Sequence, residues 1–428
     1  MKRIEQVGRP LCGELTVPGD KSIGHRAVIF GSVAQGRSRI FNLSGGEDNK
    51  RTIQAFQAMG VRIWAEGDAL CVEGRGWDGL SAPKTTIDCG NSGTTMRLLS
   101  GLLAGRPFSS VLDGDGSLRR RPMGRIIEPL TKMGALIGAR DGKGLAPLAI
   151  TGRFLKGIDY TMPIASAQVK SAILLAGLQA EGVTRIEEPQ NSRDHTELMI
   201  KGFGGAVNVQ CRSVAVTGGQ KLFAREVHIP GDISSAAFFM IAAAVIPGSE
   251  LVIRNVGVNP TRAGVLEILR RMGGSADLRN ERIETGEPVA DLVVRGSRLR
   301  AVSIGPELAA RTIDEYPILA VAAALADGVT TMSGVRELRF KESDRLAAMT
   351  DGLRRMGARV EELEDGMVIE GGMPLRRAKV KTYADHRVAM SLAIAGLASE
   401  GGVELDDAEC VDISFPAFFE LLGKICLH

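Results

Sequence analysis

One kind of helix start occurs six times along the chain, and that recurrence limits the fold more than any other feature. It is clearest in Pro18-Gly19-Asp20-Lys21-Ser22-Ile23-Gly24-His25-Arg26. Asp20 and Ser22 there are residue types that cap orphan N–H groups, and the apolar run from Ile23 to Ala34 supplies the helix body. The form comes back at Asn91-Ser92-Gly93, Ser166-Ala167-Gln168, Asp232-Ile233-Ser234, Asp314-Glu315-Tyr316 and Asp385-His386-Arg387, each time before an alanine- or leucine-rich run. Most of these helices lead through Gly into a β-leaning run: Ser38 to Leu43, Val183 to Glu187, Glu250 to Val256, Val329 to Met332 and Val403 to Leu405. Between returns lies a second helix closed by Gly: Ala55 to Gly60, Pro129 to Gly134, Glu197 to Gly204, Val265 to Gly273 and Ala347 to Gly357. Met-Gly recurs at Met59, Met133, Met272 and Met356, where Gly can end a helix in the left-handed conformation. A period of about 70 residues exceeds a solenoid repeat, so the pattern predicts six small α/β units, each too small to be stable alone. Three and three make two lobes.

A chain of 428 residues is long enough for about two to three domains by length alone. The net charge of +3 and the 4% aromatic content argue against a nucleic-acid partner, so any anion site must be local. The six cysteines (Cys12, Cys71, Cys89, Cys211, Cys410, Cys426) contain no CxxC pair, which favours reduced thiols over disulfides and leads us to expect no metal. The longest apolar stretches, Ala236 to Ile246 and Tyr316 to Ala326, fall short of the roughly 18 to 20 residues that span a bilayer, and read as buried helices. The opening Lys2, Arg3 and Glu5 show no apolar signal segment, which gives the expectation of a cytoplasmic protein.

Several helix starts carry charge that capping alone does not ask for. Lys21 opposes the macrodipole of its own helix, so Lys21 and Arg26 make most sense with an anion beside them. Asn91, Ser92, Gly93 and Thr94 form a small-residue start where backbone N–H groups can approach a ligand. Arg119, Arg120 and Arg121 end a Gly- and Asp-rich loop at Pro122, equally readable as a solvated face or as an anion contact. Lys341 and Arg345 read as two cations on one helix face, with Glu342 among them. Asp314 reads as an N-cap with Pro317 in the first turn; the alternative is a carboxylate at the centre of a cationic site, able to accept a substrate proton. Of His386 and Arg387, the arginine is the better functional candidate. No GxxxxGK[ST] loop is present, which argues against nucleotide hydrolysis.

The segments GDKSIGHRA (19–27), CGNSGTTMRLL (89–99), RRPMGRI (120–126), ASAQVKSA (165–172), NSRDHTE (191–197), DEYP (314–317), RFKESDRL (339–346) and ADHRVAM (384–390) resemble the 5-enolpyruvylshikimate-3-phosphate synthases, within the enolpyruvyl transferases, over essentially the full length. The resemblance implies an α/β fold of two lobes, each of three repeated βαβαββ units, an inside-out α/β barrel with helix N-termini toward the ligands. The division expected is residues 1–19 with 232–428 in a lower lobe and 20–231 in an upper lobe. It implies transfer of the enolpyruvyl group of phosphoenolpyruvate to the 5-hydroxyl of shikimate 3-phosphate, with no cofactor, no membrane and a monomeric enzyme. By the same resemblance, shikimate 3-phosphate would contact Lys21, Ser22, Arg26, Ser166, Ala167, Gln168, Arg193, Asp314 and Lys341. Phosphoenolpyruvate would contact Lys21, Gly93, Arg121, Gln168, Arg345 and Arg387, and the proton work would fall to Asp314, Glu342 and Lys21. Two departures stand out: Ile413 occupies the stretch before Phe415-Pro416 where some members carry a Lys, and Gly93 stands where the class with this wording often carries Ala.

Two other functions compete. A related enolpyruvyl transferase acting on UDP-N-acetylglucosamine shares the fold but usually places a Cys in the loop corresponding to 113–122, which here has none. A non-catalytic phosphate-binding scaffold is disfavoured by the low net charge and the embedded carboxylates.

Overall fold

The computed structural model describes residues 1–140 and 142–427. Five of the six repeat helices are capped by the side chain at their start. Asp20 accepts from the Ile23 N–H, Ser92 from Thr95, Ser166 from Val169, Asp232 from Ser234, and Asp385 from both Arg387 and Val388. The helices are Lys21–Val33, Gly93–Ala104, Ala167–Gly177, Ile233–Val245, Tyr316–Leu325 and His386–Leu397. All are buried along most of their length, which is why their apolar residues run round the whole helix rather than along one stripe.

The strands lie outside these helices and alternate accordingly. In Val183–Glu187, Thr184 and Ile186 are buried while Val183, Arg185 and Glu187 are exposed. Each complete repeat builds a four-stranded sheet. In the repeat of Gly93–Ala104 the order is Ile87–Asp88, Ser109–Asp113, Leu145–Thr151, Leu136–Arg140, with the first pair parallel and the others antiparallel. The second helices end as expected, with Gly60, Gly134, Gly204, Gly273 and Gly357 all at φ between 84° and 110°.

The chain divides into two compact units: 1–18 with 230–283 and 288–428, and 19–229 with 284–287. We call them the lower and upper unit. Each holds three buried repeat helices inside three sheets, which bears out the expected inside-out α/β architecture. First strands are exchanged along the sequence. Cys12–Thr16, which precedes Asp20, pairs in parallel with Glu250–Gly257 in the lower unit, while Glu226–His228, which precedes Asp232, pairs in parallel with Gln35–Phe41 in the upper unit. Among the described residues the last repeat forms no hairpin; Lys2–Ile4 completes its sheet, antiparallel to Glu400–Leu405.

Helix packing in the upper unit depends on a close approach. A Cβ at Gly101 would meet the carbonyl oxygen of Ala172 at 2.1 Å, so only glycine lets Gly93–Ala104 and Ala167–Gly177 lie this near.

Candidate active site

In the upper unit, Lys21, Gly93 and Ala167 are each the first residue of a repeat helix, where N–H groups and the dipole favour an anion. The Lys21 ammonium donates to Asp48 Oδ2 at 2.7 Å, and the Asp48 carbonyl accepts from Thr95 Oγ1 at 3.4 Å. That links the start of the first helix to the first turn of the second. Gln168 Nε2 donates to Thr94 Oγ1 at 2.8 Å, and its Oε1 accepts from Arg97. Arg121, only 8% exposed, donates to Asn91 Oδ1 and to Ser117 Oγ. A Cβ at Gly93 would lie 3.0 Å from one terminal nitrogen of Arg97 and 3.4 Å from one of Arg121. Gly93, Arg121 and Gln168 are therefore gathered around a pair of guanidinium groups.

The Arg run is split by its local structure. Leu118–Arg120 is a 3-10 turn, Arg119 faces outward and pairs with Asp113, Arg120 is exposed, and only Arg121 turns inward. Arg26 is buried and donates to Thr196 Oγ1 at 2.6 Å, to Ser171 Oγ at 2.6 Å and to the Ser22 carbonyl at 2.8 Å. Burial pulls its pKa down to about 10, and repulsion from Arg193 adds to that against the pull of Glu197 and Asp20. The Ser166 hydroxyl serves its own helix as cap, accepting from the Val169 N–H.

In the lower unit the charged candidates converge on one another. Asp314 Oδ1 lies 3.7 Å from the Arg345 guanidinium and 4.0 Å from Lys341 Nζ, and Arg387 donates to the Asp314 carbonyl at 3.0 Å. Arg345, 1% exposed, also pairs with Glu342 at 2.5 Å and with the fully buried Asp385 at 2.9 Å. Burial alone would lower the Arg345 pKa, but Asp385, Glu342 and Asp314 outweigh it and hold it above the ordinary arginine value. Burial likewise works against the Asp385 carboxylate, yet Arg345 keeps its pKa below the usual range.

Two expectations are corrected here. Asp314 is not at the cap position of its helix: that position is Glu315, which makes no side-chain capping bond there. Lys341 and Arg345 do not share a helix face, because the Asp344 side chain accepts from the Ala347 N–H and starts the helix at Arg345, leaving Lys341 at the end of the preceding 3-10 turn. They meet around Asp314 through the fold rather than through helical spacing.

Three participants escaped the sequence reading. Arg97 could have been found, since it lies four residues from Gly93 as the one charged residue of its helix. Asp385 carried a signal only as a cap. Asp48 had none, being 27 residues from Lys21.

These features have relatives. The enolpyruvyl transferase NikO from Streptomyces tendae superposes with a TM-score of 0.78 over 99% of this chain and 96% of that one, a likeness of fold alone at 17% identity. The EPSP synthase from Acinetobacter baumannii superposes with a TM-score of 0.89 at 45% identity, over 99% of this chain and 97% of its own. Among curated proteins, the 3-phosphoshikimate 1-carboxyvinyltransferase of Geobacter metallireducens is 54% identical over 96% of both chains. That of Syntrophotalea carbinolica is 53% identical over 100% of this chain and 99% of its own. The family model for EPSP synthase (3-phosphoshikimate 1-carboxyvinyltransferase) matches residues 6–422. The chain belongs to the EPSP synthase family.

Proposed function

We infer that this chain transfers the enolpyruvyl group of phosphoenolpyruvate to the 5-hydroxyl of shikimate 3-phosphate and releases phosphate, the step that commits shikimate-pathway carbon toward chorismate and the aromatic amino acids. The observation that carries the reading is Asp314: in a member of the EPSP synthase family, its carboxylate lies within 4.0 Å of two cations. Opposite charge at that distance favours the ionised form, which is the form a general base requires.

The chemistry then divides into addition and elimination. Asp314 takes the proton of the 5-hydroxyl as its oxygen bonds to C2 of phosphoenolpyruvate, while C3 gains a proton from Glu342 or Lys21. The tetrahedral adduct next loses a proton from C3, the bond from C2 to the phosphate oxygen breaks, and the double bond re-forms in the product. Lys21, Gly93, Arg121, Gln168, Arg345 and Arg387 would hold phosphoenolpyruvate, an anion matched by their charges and by the helix start at Gly93. Lys21, Ser22, Arg26, Ser166, Ala167, Gln168, Arg193, Asp314 and Lys341 would hold shikimate 3-phosphate. The low net charge supports a small-molecule enzyme with no nucleic-acid partner, and no helix among the described residues is long and apolar enough to cross a membrane. A cytoplasmic monomer fits this reading.

Phosphate release from phosphoenolpyruvate tests it directly. We expect release with shikimate 3-phosphate as acceptor and none with UDP-N-acetylglucosamine; the reverse pattern, or release with neither, would overturn the assignment.

A further inference from the structure

The lower unit contains a second buried arginine–carboxylate pair that the reaction does not use. Arg262, 3% exposed, donates to Glu315 Oε1 at 2.7 Å; Glu315 is 1% exposed. Ser234 Oγ donates to the same Glu315 oxygen and accepts from Arg262, whose guanidinium also lies 3.5 Å from Asp232 Oδ1. Asp232 Oδ1 in turn accepts from the Ser234 N–H at 2.8 Å. The group thus joins the starts of two repeat helices, Ile233–Val245 and Tyr316–Leu325.

The pair repeats the plan of Arg345 and Asp385 one repeat earlier. In both, an arginine at the first residue of a second helix (Arg345) or just before its cap (Arg262) grips a carboxylate at the cap position of a repeat helix. The two differ in what the carboxylate does. Asp385 also caps its helix, whereas Glu315 makes no side-chain capping bond and spends its bonds on Arg262 and Ser234. Glu315 is the immediate neighbour of Asp314.

We propose that Arg262 and Glu315 are positioning residues for Asp314. The Glu315 carboxylate, gripped in the interior, fixes the chain on the C-terminal side of Asp314, and its own N–H donates to the Thr312 carbonyl at 2.8 Å. Arg387 holds the Asp314 carbonyl at 3.0 Å. With the backbone held at Glu315 and at the Asp314 carbonyl, the Asp314 carboxylate is kept beside Lys341 and Arg345. A general base delivers its effect only within hydrogen-bond reach of the proton it takes, so a small drift at this point removes the benefit while leaving substrate binding largely intact. The proposal rests on the reading of Asp314 as base.

The decisive variant replaces the whole pair, Arg262→Met with Glu315→Leu. An apolar pair of similar volume can substitute for a buried ion pair without loss of stability. We expect it to keep the thermal midpoint within a few degrees and both KM values within about threefold, yet to lower kcat by tenfold or more. Wild-type kcat in this variant would overturn the proposal. If the double variant fails to fold, Arg262→Lys, which keeps the charge but loses the planar fork, gives the same split between kcat and KM. The same substitutions in an Asp314→Ala background separate the two readings. Positioning predicts no further loss of kcat there, and additive losses overturn it. An Asp314→Ala enzyme with wild-type kcat sinks the base reading itself, whatever the pair does.

Discussion

The Nε of Arg345 donates to Oδ2 of Asp385 at 2.9 Å, with the two side chains 1% and 0% exposed, and Oδ1 of the same carboxylate caps the helix His386–Leu397. One buried acid therefore holds a proposed phosphoenolpyruvate contact and a helix start together. Removing its charge leaves Arg345 without its fully buried counter-ion, and breaking a buried pair costs about 3–5 kcal/mol. Asp385→Asn is expected to lower the urea midpoint strongly, where exposed pairs such as Lys132–Glu128 lose about 1 kcal/mol at most. Because the folded pKa of Asp385 is depressed, its stabilisation is full above the unfolded value of about 3.9 and is lost as pH falls through the folded value.

Asp314→Ala separates chemistry from capping. Since the cap position of the helix is Glu315, the substitution is expected to leave the melting temperature nearly unchanged while lowering kcat by about 10²- to 10⁴-fold. Glu342→Gln is expected to act in the same sense. Steady-state kinetics alongside calorimetry check both, and a stability loss with kcat within a few-fold would return Asp314 to a structural role.

Arg387→Ala should weaken phosphoenolpyruvate more than shikimate 3-phosphate. One charge-assisted hydrogen bond is worth about 1.5 to 3 kcal/mol, or roughly 10- to 150-fold in binding. Equal losses for the two ligands, measured by titration calorimetry, would count against the assignment.

Glyphosate is expected to compete with phosphoenolpyruvate, and Gly93→Ala to weaken the inhibitor more than the substrate. The added methyl would stand 3.0 Å from Arg97 and 3.4 Å from Arg121, so the Arg97 guanidinium must shift slightly and Arg121 is brought into contact. Overpacking of this size costs about 1 to 3 kcal/mol, and the longer molecule has less room to adjust. Inhibition constants for the two enzymes decide the matter; an equal rise in both the inhibitor constant and KM removes Gly93 as the discriminating contact.

His25 gives the upper unit an acid sensitivity with a definite sign. Burial pushes its pKa down to about 3, so between there and the unfolded value near 6.5 only the unfolded chain takes up this proton. Stability should fall as pH is lowered through that window, by up to about 1.4 kcal/mol per pH unit, and His25→Gln should flatten the slope. His195 works oppositely. Burial opposes its charge, but Glu287 at 2.7 Å prevails and raises its pKa, so its contribution is present at low pH and lost as pH rises through the folded value. Comparing urea midpoints of His25→Gln and His195→Gln across pH 4 to 8 resolves the pair.

Local chemistry made the six helix starts legible, because a cap writes its signature within a few residues: Asp20 bonds the N–H of Ile23 and Ser92 that of Thr95. Where a start was misread, a long-range partner had intervened. Glu315 holds the cap position of its helix, but its side chain is claimed by Arg262, 53 residues away. Spacing also misled at Lys341 and Arg345, since Asp344 begins the helix between them. The buried cluster of Lys170 with Glu188 and Glu197, at 2.9 and 2.7 Å, left no mark in the sequence pattern: Lys170 sits in an alanine- and leucine-rich run, and only the fold brings the two acids beneath it. Residues that act through neighbours in sequence could be read; those that act through neighbours in space could not.

Lys2–Ile4 completes the sheet of Glu400–Leu405, and Cys12–Thr16 waits for Glu250–Gly257. On the ribosome these partners emerge far apart in time. At about 5–20 residues per second, some 20 to 80 s separate the synthesis of Ile4 from that of Val403. For that interval the strand remains an unpaired edge, and Lys2 and Arg3 suit it to the wait because charged edges resist pairing with other nascent chains. Residues 19–229, continuous in sequence, hold every strand of their three sheets, and the 284–287 tip adds only contacts such as Glu287 to His195. The order of translation therefore lets the upper unit fold while the lower one is still being made, and a pause in synthesis before residue 400 would strand only the lower unit unfinished.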